Sequence, residues 1–366
     1  MESYLKNYWL MERYLKLESN SKRLILEYFK SYSYIKWQYV FENKAYFGID
    51  EKTVIPPMEA SHEIVEKCNR EIDESQKLSI DYIIPTSIYY PESLFHYKPE
   101  VKIMFTKGDK TLLGENKRVA IVGSRKPTAY GRKVAYDLGR FLAKNGVCVV
   151  SGMALGIDAQ AHKGALDENG KTIAVLASGV NYVYPQTNEK IYHQIISSNG
   201  LILSEQFLNE PPLRFHFPLR NRIISAISDV IIIIEAGEKS GSLITAMHAM
   251  EQGKSVYALP GSILSPQSIG TNQLIYDGAC PLINFNHILE SMGISGSKQI
   301  KRSIDLSNLS ELARVIYNLL LEQKTISMDS IFSETMCEYS EIFAAVSELI
   351  LDDLCEYSTL NEITLL

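Results

Sequence analysis

Between His216 and Arg222 the chain reads HFPLRNR, which sets His216, Arg220 and Arg222 around Phe217, with Arg214 just upstream and no carboxylate between them. Guanidinium groups grip phosphate oxygens through paired hydrogen bonds, and an aromatic ring offers a base a face to stack on. A second cluster, GSRKPTAYG, places Gly123 ahead of Ser124 and Arg125. Six basic side chains and no acidic one fall within residues 117–133. This is not the G-x-G-x-x-G fingerprint, so a dinucleotide pyrophosphate is not the expected guest. One glycine turn with a hydroxyl and a guanidinium suits a single phosphate. In SGMALGID, Gly152 and Gly156 let the backbone approach a phosphate, and Asp158 either contacts a ligand or simply suits the first turn of a helix. In EAGEKSGSLITA, Ser240, Gly241 and Ser242 precede a helix with Lys239 beside them, offering N–H groups and hydroxyls to a phosphate; a helix cap would equally explain Ser242. Tyr182 and Tyr184 either face a base or pack their loop, and His162 reads as a packed histidine.

Catalytic constellations are missing from the sequence. There is no G-x-S-x-G elbow, no phosphate-binding loop of the Walker type, no cluster of metal ligands and no carboxylate pair within these loops. Neither a metal nor another cofactor is expected, and the chain reads as a binding protein rather than an enzyme. Basic groups for a backbone combined with rings for bases are the requirements of a single-stranded nucleic-acid groove.

The elements that must position these loops are short β-branched runs alternating with helical patterns. RVAIVG, VCVVSG, TIAVLASG, LILSE, DVIIIIEAG and SVYALPG read as strands, with PLIN closing the series. YGRKVAYDLGRFLAKNG, GIDAQAHKGALDENG, NEKIYHQIISSNG and SLITAMHAMEQGK read as the helices between them. Such alternation predicts a doubly wound, mostly parallel sheet, whose ligands bind beyond the carboxyl ends of the strands. VIIIIEA, apolar on both faces, suits a central strand. HFPLRNR follows the LILSE strand as a loop leading into the next helix, so its arginines are expected to converge with Arg125 at the sheet edge, unless one of them braces the loop against Glu205 or Glu235.

Residues 1–80 read as a small helical module, 81–290 as the sheet domain, 291–304 as a Gly/Ser/Lys-rich linker, and 305–366 as three short helices with a two-strand end. That last pattern fits either a winged helix or a plain helical hairpin. With 37 basic against 43 acidic residues the net charge is −6, so a nucleic-acid role requires local basic clusters. The five cysteines are too scattered for a zinc site or a disulfide framework. No apolar run reaches membrane-spanning length and no signal peptide is evident, so a cytoplasmic protein is expected.

Six ordered stretches together resemble the DprA/Smf family of DNA-processing proteins: VAIVGSRKPTAYG, SGMALGIDAQAHKGAL, SGVNYVYPQTN, FPLRNRIISAISD, IIEAGEKSGSLITA and ALPGSILSPQSIGTNQLI. The resemblance covers roughly residues 80–285 and departs where the family often has a Pro-Pro pair, here Lys98-Pro99. It implies an extended Rossmann-like domain between an N-terminal helical, SAM-like module and a C-terminal winged-helix-like module. It also implies sequence-independent binding and protection of single-stranded DNA, dimerisation, and loading of RecA recombinase during DNA uptake and natural transformation. Carried onto this sequence, the phosphate-binding motif falls on Gly123, Ser124 and Arg125. The F-P-x-R-N-R motif falls on Phe217, Pro218, Arg220, Asn221 and Arg222, with the ring stacking on a base, and the S-G-S motif on Ser240, Gly241 and Ser242. Arg214, Lys239 and Gly152 complete the expected DNA-binding set. The runner-up is a nucleotide-binding enzyme of the LOG type that hydrolyses nucleoside monophosphates, but EAGEKSGSLITA lacks the paired glycines and the glutamate of the P-G-G-x-G-T-x-x-E loop.

Overall fold

The computed structural model describes residues 2–15, 17–50, 58–97, 99–114, 117–294, 309–351, 354–359 and 361–365. Most of the expected linker, 295–304, and Lys98 of the Lys98-Pro99 departure lie outside the described residues. The chain forms two compact units, Met1–Gly296 and Ser297–Leu366.

The first unit is built on a nine-stranded sheet. Its strands are β1 (Asp81–Ile83), β2 (Met104–Gly108), β3 (Arg118–Gly123), β4 (Cys148–Ser151), β5 (Thr172–Leu176), β6 (Leu201–Ser204), β7 (Val230–Ile234), β8 (Ser255–Ala258) and β9 (Cys280–Pro281). They lie in the order β1-β2-β6-β5-β4-β3-β7-β8-β9. From β6 to β9 every pairing is parallel, while β2 pairs antiparallel with both β6 and β1. The chain winds outward from β3 to β6, then returns to place β7 against the other side of β3 in the register Val119↔Val230. Strand order therefore reverses at β3, and the crevice above a reversal is where doubly wound sheets bind ligands.

Among the described residues, four α-helices precede the sheet: α1 (Glu2–Trp9), α2 (Ser19–Phe29), α3 (Trp37–Glu42) and α4 (Met58–Lys77). Between and after the strands come α5 (Ala129–Lys144), α6 (Ile157–Asp167), α7 (Glu189–Ser197), α8 (His216–Ile227), α9 (Gly241–Glu251), α10 (Ile269–Tyr276) and α11 (Asn286–Ser291).

All five residues of β7 are buried, because its alternate side chains feed two cores. Ile231 and Ile233 enter the core under α8 and α9, while Val230, Ile232 and Ile234 enter the one under α5 and α6. Gly139 and Gly164 let α5 and α6 touch closely, since a Cβ at either would collide with a carbonyl of the other helix. The N-terminal helices share a third core with β2, β5, β6 and α7, where the Trp9 ring meets Phe105 and Phe207 edge-on at 5.2 and 5.3 Å. The described N-terminal helices are thus packed on the sheet within one compact unit.

His162 of α6 is fully buried, as a packed histidine should be. The Thr172 hydroxyl donates to the Val149 carbonyl (2.7 Å), so His162 Nδ1–H is the donor in its 2.7 Å bond to Thr172 Oγ1. Burial, reinforced by Arg220, lowers its pKa from 6.5 to about 3. A folded pKa below the unfolded one gives stability that is whole above the unfolded value and is lost as pH falls towards the folded one. Each unit of that gap is worth about 1.4 kcal/mol. His162→Gln should flatten the loss of stability on acidification, measured by denaturant unfolding at about pH 7 and pH 4.

The second unit has the order α12 (Glu311–Gln323), β10 (Thr325–Ser327), α13 (Met328–Thr335), α14 (Tyr339–Leu351), β11 (Cys355–Thr359) and β12 (Glu362–Leu365). Its three strands pair antiparallel as β10-β12-β11. Three helices closed by a small sheet are the arrangement of a winged helix rather than a helical hairpin. The sequence pattern lacks β10 because three residues are too few to show alternation. Ile316, Leu320, Ile342, Val346 and Leu349 centre a core made wholly within this unit.

Candidate functional site

A cleft of about 210 Å³ opens at the carboxyl end of the sheet, between the segments that follow β3, β4, β6 and β7. Of the residues expected at the site, Gly123, Arg125, Phe217, Arg220, Asn221, Ser240, Gly241 and Ser242 line it. Ala154, Asp158 and Thr245 complete its polar and small-residue wall, and the Thr245 hydroxyl is buried there without a hydrogen-bond partner. Gly123 ends β3 where a Cβ would strike the Ile234 carbonyl of β7, so the turn closes tightly over the sheet. Ser124 Oγ accepts from the Lys126 N–H (3.1 Å), which folds the loop back and leaves Arg125 exposed.

The Arg125 guanidinium lies over the Phe217 ring, 4.7 Å from its centroid. This is a cation–π contact that fixes a positive group beside an aromatic face. Tyr184 meets the same ring edge-on at 6.2 Å and is 43% exposed. It therefore belongs to the aromatic surface rather than to the packing of its loop. Arg125, Tyr184 and Phe217 also line a smaller adjoining pocket with Gly152, Leu155 and Pro185.

The helix α8 begins inside HFPLRNR, at His216, and not after it. Pro218 does not prevent this, because a proline in the first turn forfeits no helical hydrogen bond. At about 100° per residue, Phe217, Arg220 and Asn221 share one side of the helix while Arg222 points the opposite way. The two arginines consequently have different roles. Arg220 is buried and donates from Nη1 to the carbonyls of Gly152 (2.5 Å) and Val175 (2.6 Å), and from Nε to Asn221 Oδ1 (3.0 Å). Burial lowers its pKa to about 10, against the pull of Asp158.

Arg222 lies outside the cleft altogether. Its side chain is 3% exposed and its Nη2 meets Glu205 Oε2 at 2.5 Å. The expectation that Arg222 converges with Arg125 is thus corrected, and the brace is Glu205. Glu235 instead accepts from the Thr128 amide at 2.8 Å and from the Thr128 hydroxyl, tying down the start of α5.

Gly152 also departs from expectation. Its N–H donates to Asp158 Oδ2 (3.1 Å) and its carbonyl accepts from Arg220, so its backbone is engaged within the protein. Asp158 also accepts from Ala154 N–H (3.3 Å), and burial raises its pKa while Arg220 pulls the other way. It holds the β4–α6 loop and balances Arg220, a pairing invisible at a separation of 62 residues in the sequence. Asn221 Nδ2 donates to the Gly241 carbonyl (3.0 Å), coupling α8 to α9, whose start is capped by Ser240 Oγ. Arg214 and Lys239, each two residues ahead of the start of α8 and α9, are exposed and do not line the cleft. Among the described residues no cluster of His, Cys, Asp or Glu could hold a metal ion, and no helix is long and apolar enough to cross a membrane.

The arrangement presents one positive group stacked on a ring, small residues and hydroxyls at the start of α9, and a buried arginine as support. Comparisons with known proteins match the sheet domain that carries this cleft. Residues 81–293 match the family model described as DNA recombination-mediator protein A. The DNA processing protein DprA of Bacillus subtilis is 38% identical over 226 residues, 62% of this chain and 76% of the relative. Protein Smf of Escherichia coli is 40% identical over 212 residues, 58% of this chain and 56% of the relative. Two solved structures are similar. DNA processing protein A from Streptococcus pneumoniae has a TM-score of 0.61 and 32% identity, with 78% of this chain and 97% of that chain covered. DNA processing protein A from Helicobacter pylori, described for its single-stranded DNA binding mode, has a TM-score of 0.52 and 37% identity, with 58% and 95% covered. The match of the whole sheet domain to the family model, with relatives 38% and 40% identical, places the chain in the DNA recombination-mediator protein A family, together with the DprA and Smf proteins.

Proposed function

We propose that this chain binds single-stranded DNA without sequence preference along the carboxyl edge of its sheet, protects it, and loads RecA recombinase on it during DNA uptake. The observation that carries this reading is the Arg125 guanidinium stacked on Phe217 at the mouth of the cleft, which unites a phosphate contact and a base-stacking face in one unit. The Helicobacter pylori relative, described for binding single-stranded DNA, supports it. Binding rather than hydrolysis suits the carboxylates, since Asp158, Glu205 and Glu235 are each committed to backbone amides, an arginine or a helix start. On this reading the protein acts in the cytoplasm as a homodimer.

A labelled oligonucleotide titrated across salt concentrations tests the proposal. Each phosphate contact should contribute about −0.7 to the slope of log affinity against log salt. A flat response, or stronger binding of duplex, contradicts it. Release of free base from nucleoside monophosphates favours hydrolysis of the LOG type instead. RecA assembly on an oligonucleotide, with and without the chain, tests the loading step.

A further inference from the structure

The negative charge of the chain is concentrated at its carboxyl end. Residues 309–366 contain 11 acidic side chains and only 2 basic ones, Arg314 and Lys324, an excess larger than the net −6 of the whole chain. In a winged helix that reads duplex DNA, the third helix enters the major groove with basic residues around it to neutralise phosphates. Here that helix, α14, has the sequence YSEIFAAVSELIL, with no lysine or arginine.

What the unit exposes instead is aromatic. Phe332 of α13 stacks on Tyr339 of α14, with centroids 5.0 Å apart and planes at 10°. Phe343, one turn further along α14, is 47% exposed, and Met336 between the helices is 82% exposed. Asp329 borders this face, and Glu334, Glu338 and Glu341, exposed on or beside the same two helices, add to the negative charge of the unit. The Tyr339 hydroxyl donates to Asp329 Oδ1 at 2.7 Å, which holds the ring upright against Phe332.

We propose that this aromatic face of an acidic unit docks an apolar segment flanked by lysine or arginine on a partner protein, and not nucleic acid. Aromatic residues and methionine are enriched at the centres of protein interfaces, where their burial supplies most of the affinity. A surface of one charge sign selects a partner of the opposite sign and speeds its approach, and the same charge repels phosphates. The carboxyl unit thereby recruits a protein independently of any DNA held by the sheet.

The test uses the full chain and a labelled, helix-forming peptide with a leucine stripe flanked by lysines. Its counterparts are the same peptide with glutamates for lysines, and a labelled duplex. The lysine peptide should bind, more weakly as salt rises, and the glutamate peptide and duplex should not bind this face. Phe343→Ala and, separately, Phe332→Ser should each weaken the lysine peptide about tenfold or more. Both residues are exposed, so thermal unfolding should match the parent, and affinity for single-stranded DNA should not change. A peptide affinity indifferent to both substitutions overturns the proposal. So does duplex binding that Phe343→Ala abolishes, which would make the unit a DNA reader. Self-association lost with Phe343→Ala, seen by sedimentation, overturns it in favour of a second copy as occupant.

Discussion

Arg222→Ala should lower the stability of the fold by about 3–5 kcal/mol, the cost of leaving one member of a buried ion pair without its partner. Glu205 is the group left behind, and Tyr90 and Tyr97 lie within the electrostatic reach of the pair. Burial already raises the Glu205 pKa, and Arg222 is the main influence holding it down. A folded pKa above the unfolded one gives a contribution that is whole at low pH and lost as pH rises through the folded value. Removing Arg222 raises that value further, so the deficit should be largest near neutral pH and shrink on acidification as Glu205 takes up a proton. Denaturant unfolding at about pH 7.5 and pH 4.5 measures both. Arg222 Nε and Nη1 are buried without partners, so the native pair is incompletely satisfied. Replacing both members with apolar residues, Arg222→Met with Glu205→Leu, should therefore recover most of the lost stability. The folded fraction of Arg222→Ala should keep the parent's affinity for single-stranded DNA. A variant as stable as the parent yet defective in DNA binding would return Arg222 to the DNA surface.

The reverse outcome is expected at the cleft. Phe217→Ala should weaken oligonucleotide binding by about 1–3 kcal/mol, whatever the sequence, because every base has a face to stack. Arg125→Ala should weaken it too and reduce the salt slope by about 0.7, the signature of one lost phosphate contact on a single strand. Arg125→Lys separates the two duties of the side chain. It keeps the charge but loses the planar group that lies on Phe217, so the salt slope should persist while affinity drops. Arg125 is exposed, so unfolding curves for both Arg125 variants should overlay the parent's. Variants that bind like the parent would place the DNA path elsewhere on the protein.

The contrast between these results traces to what local pattern can and cannot show. The six strand motifs from RVAIVG to SVYALPG coincide with β3–β8, because β-branched runs between helical periods are signals carried within each segment. The β7 run was legible as central for the same reason: five apolar residues in a row leave no face for water. The loops at the cleft followed from that topology, since a doubly wound sheet gathers its strand-to-helix turns at one edge.

HFPLRNR marks where legibility ended. Its composition announces phosphate and base contacts, but composition is silent on the phase of a helix that begins within the motif. Once His216 starts α8, the geometry of the turn sends Phe217 and Asn221 to the cleft and Arg222 to Glu205. The partners that occupy Arg220, the carbonyls of Gly152 just after β4 and Val175 in β5, stand 68 and 45 residues away. Sequence by itself determined the alternation of strands and helices, the edge at which ligands would gather and the chemical types waiting there. Only the tertiary structure decided which charges remain for a ligand, because burial and long-range partners assign Arg220 and Arg222 to the protein and leave Arg125 to the solvent.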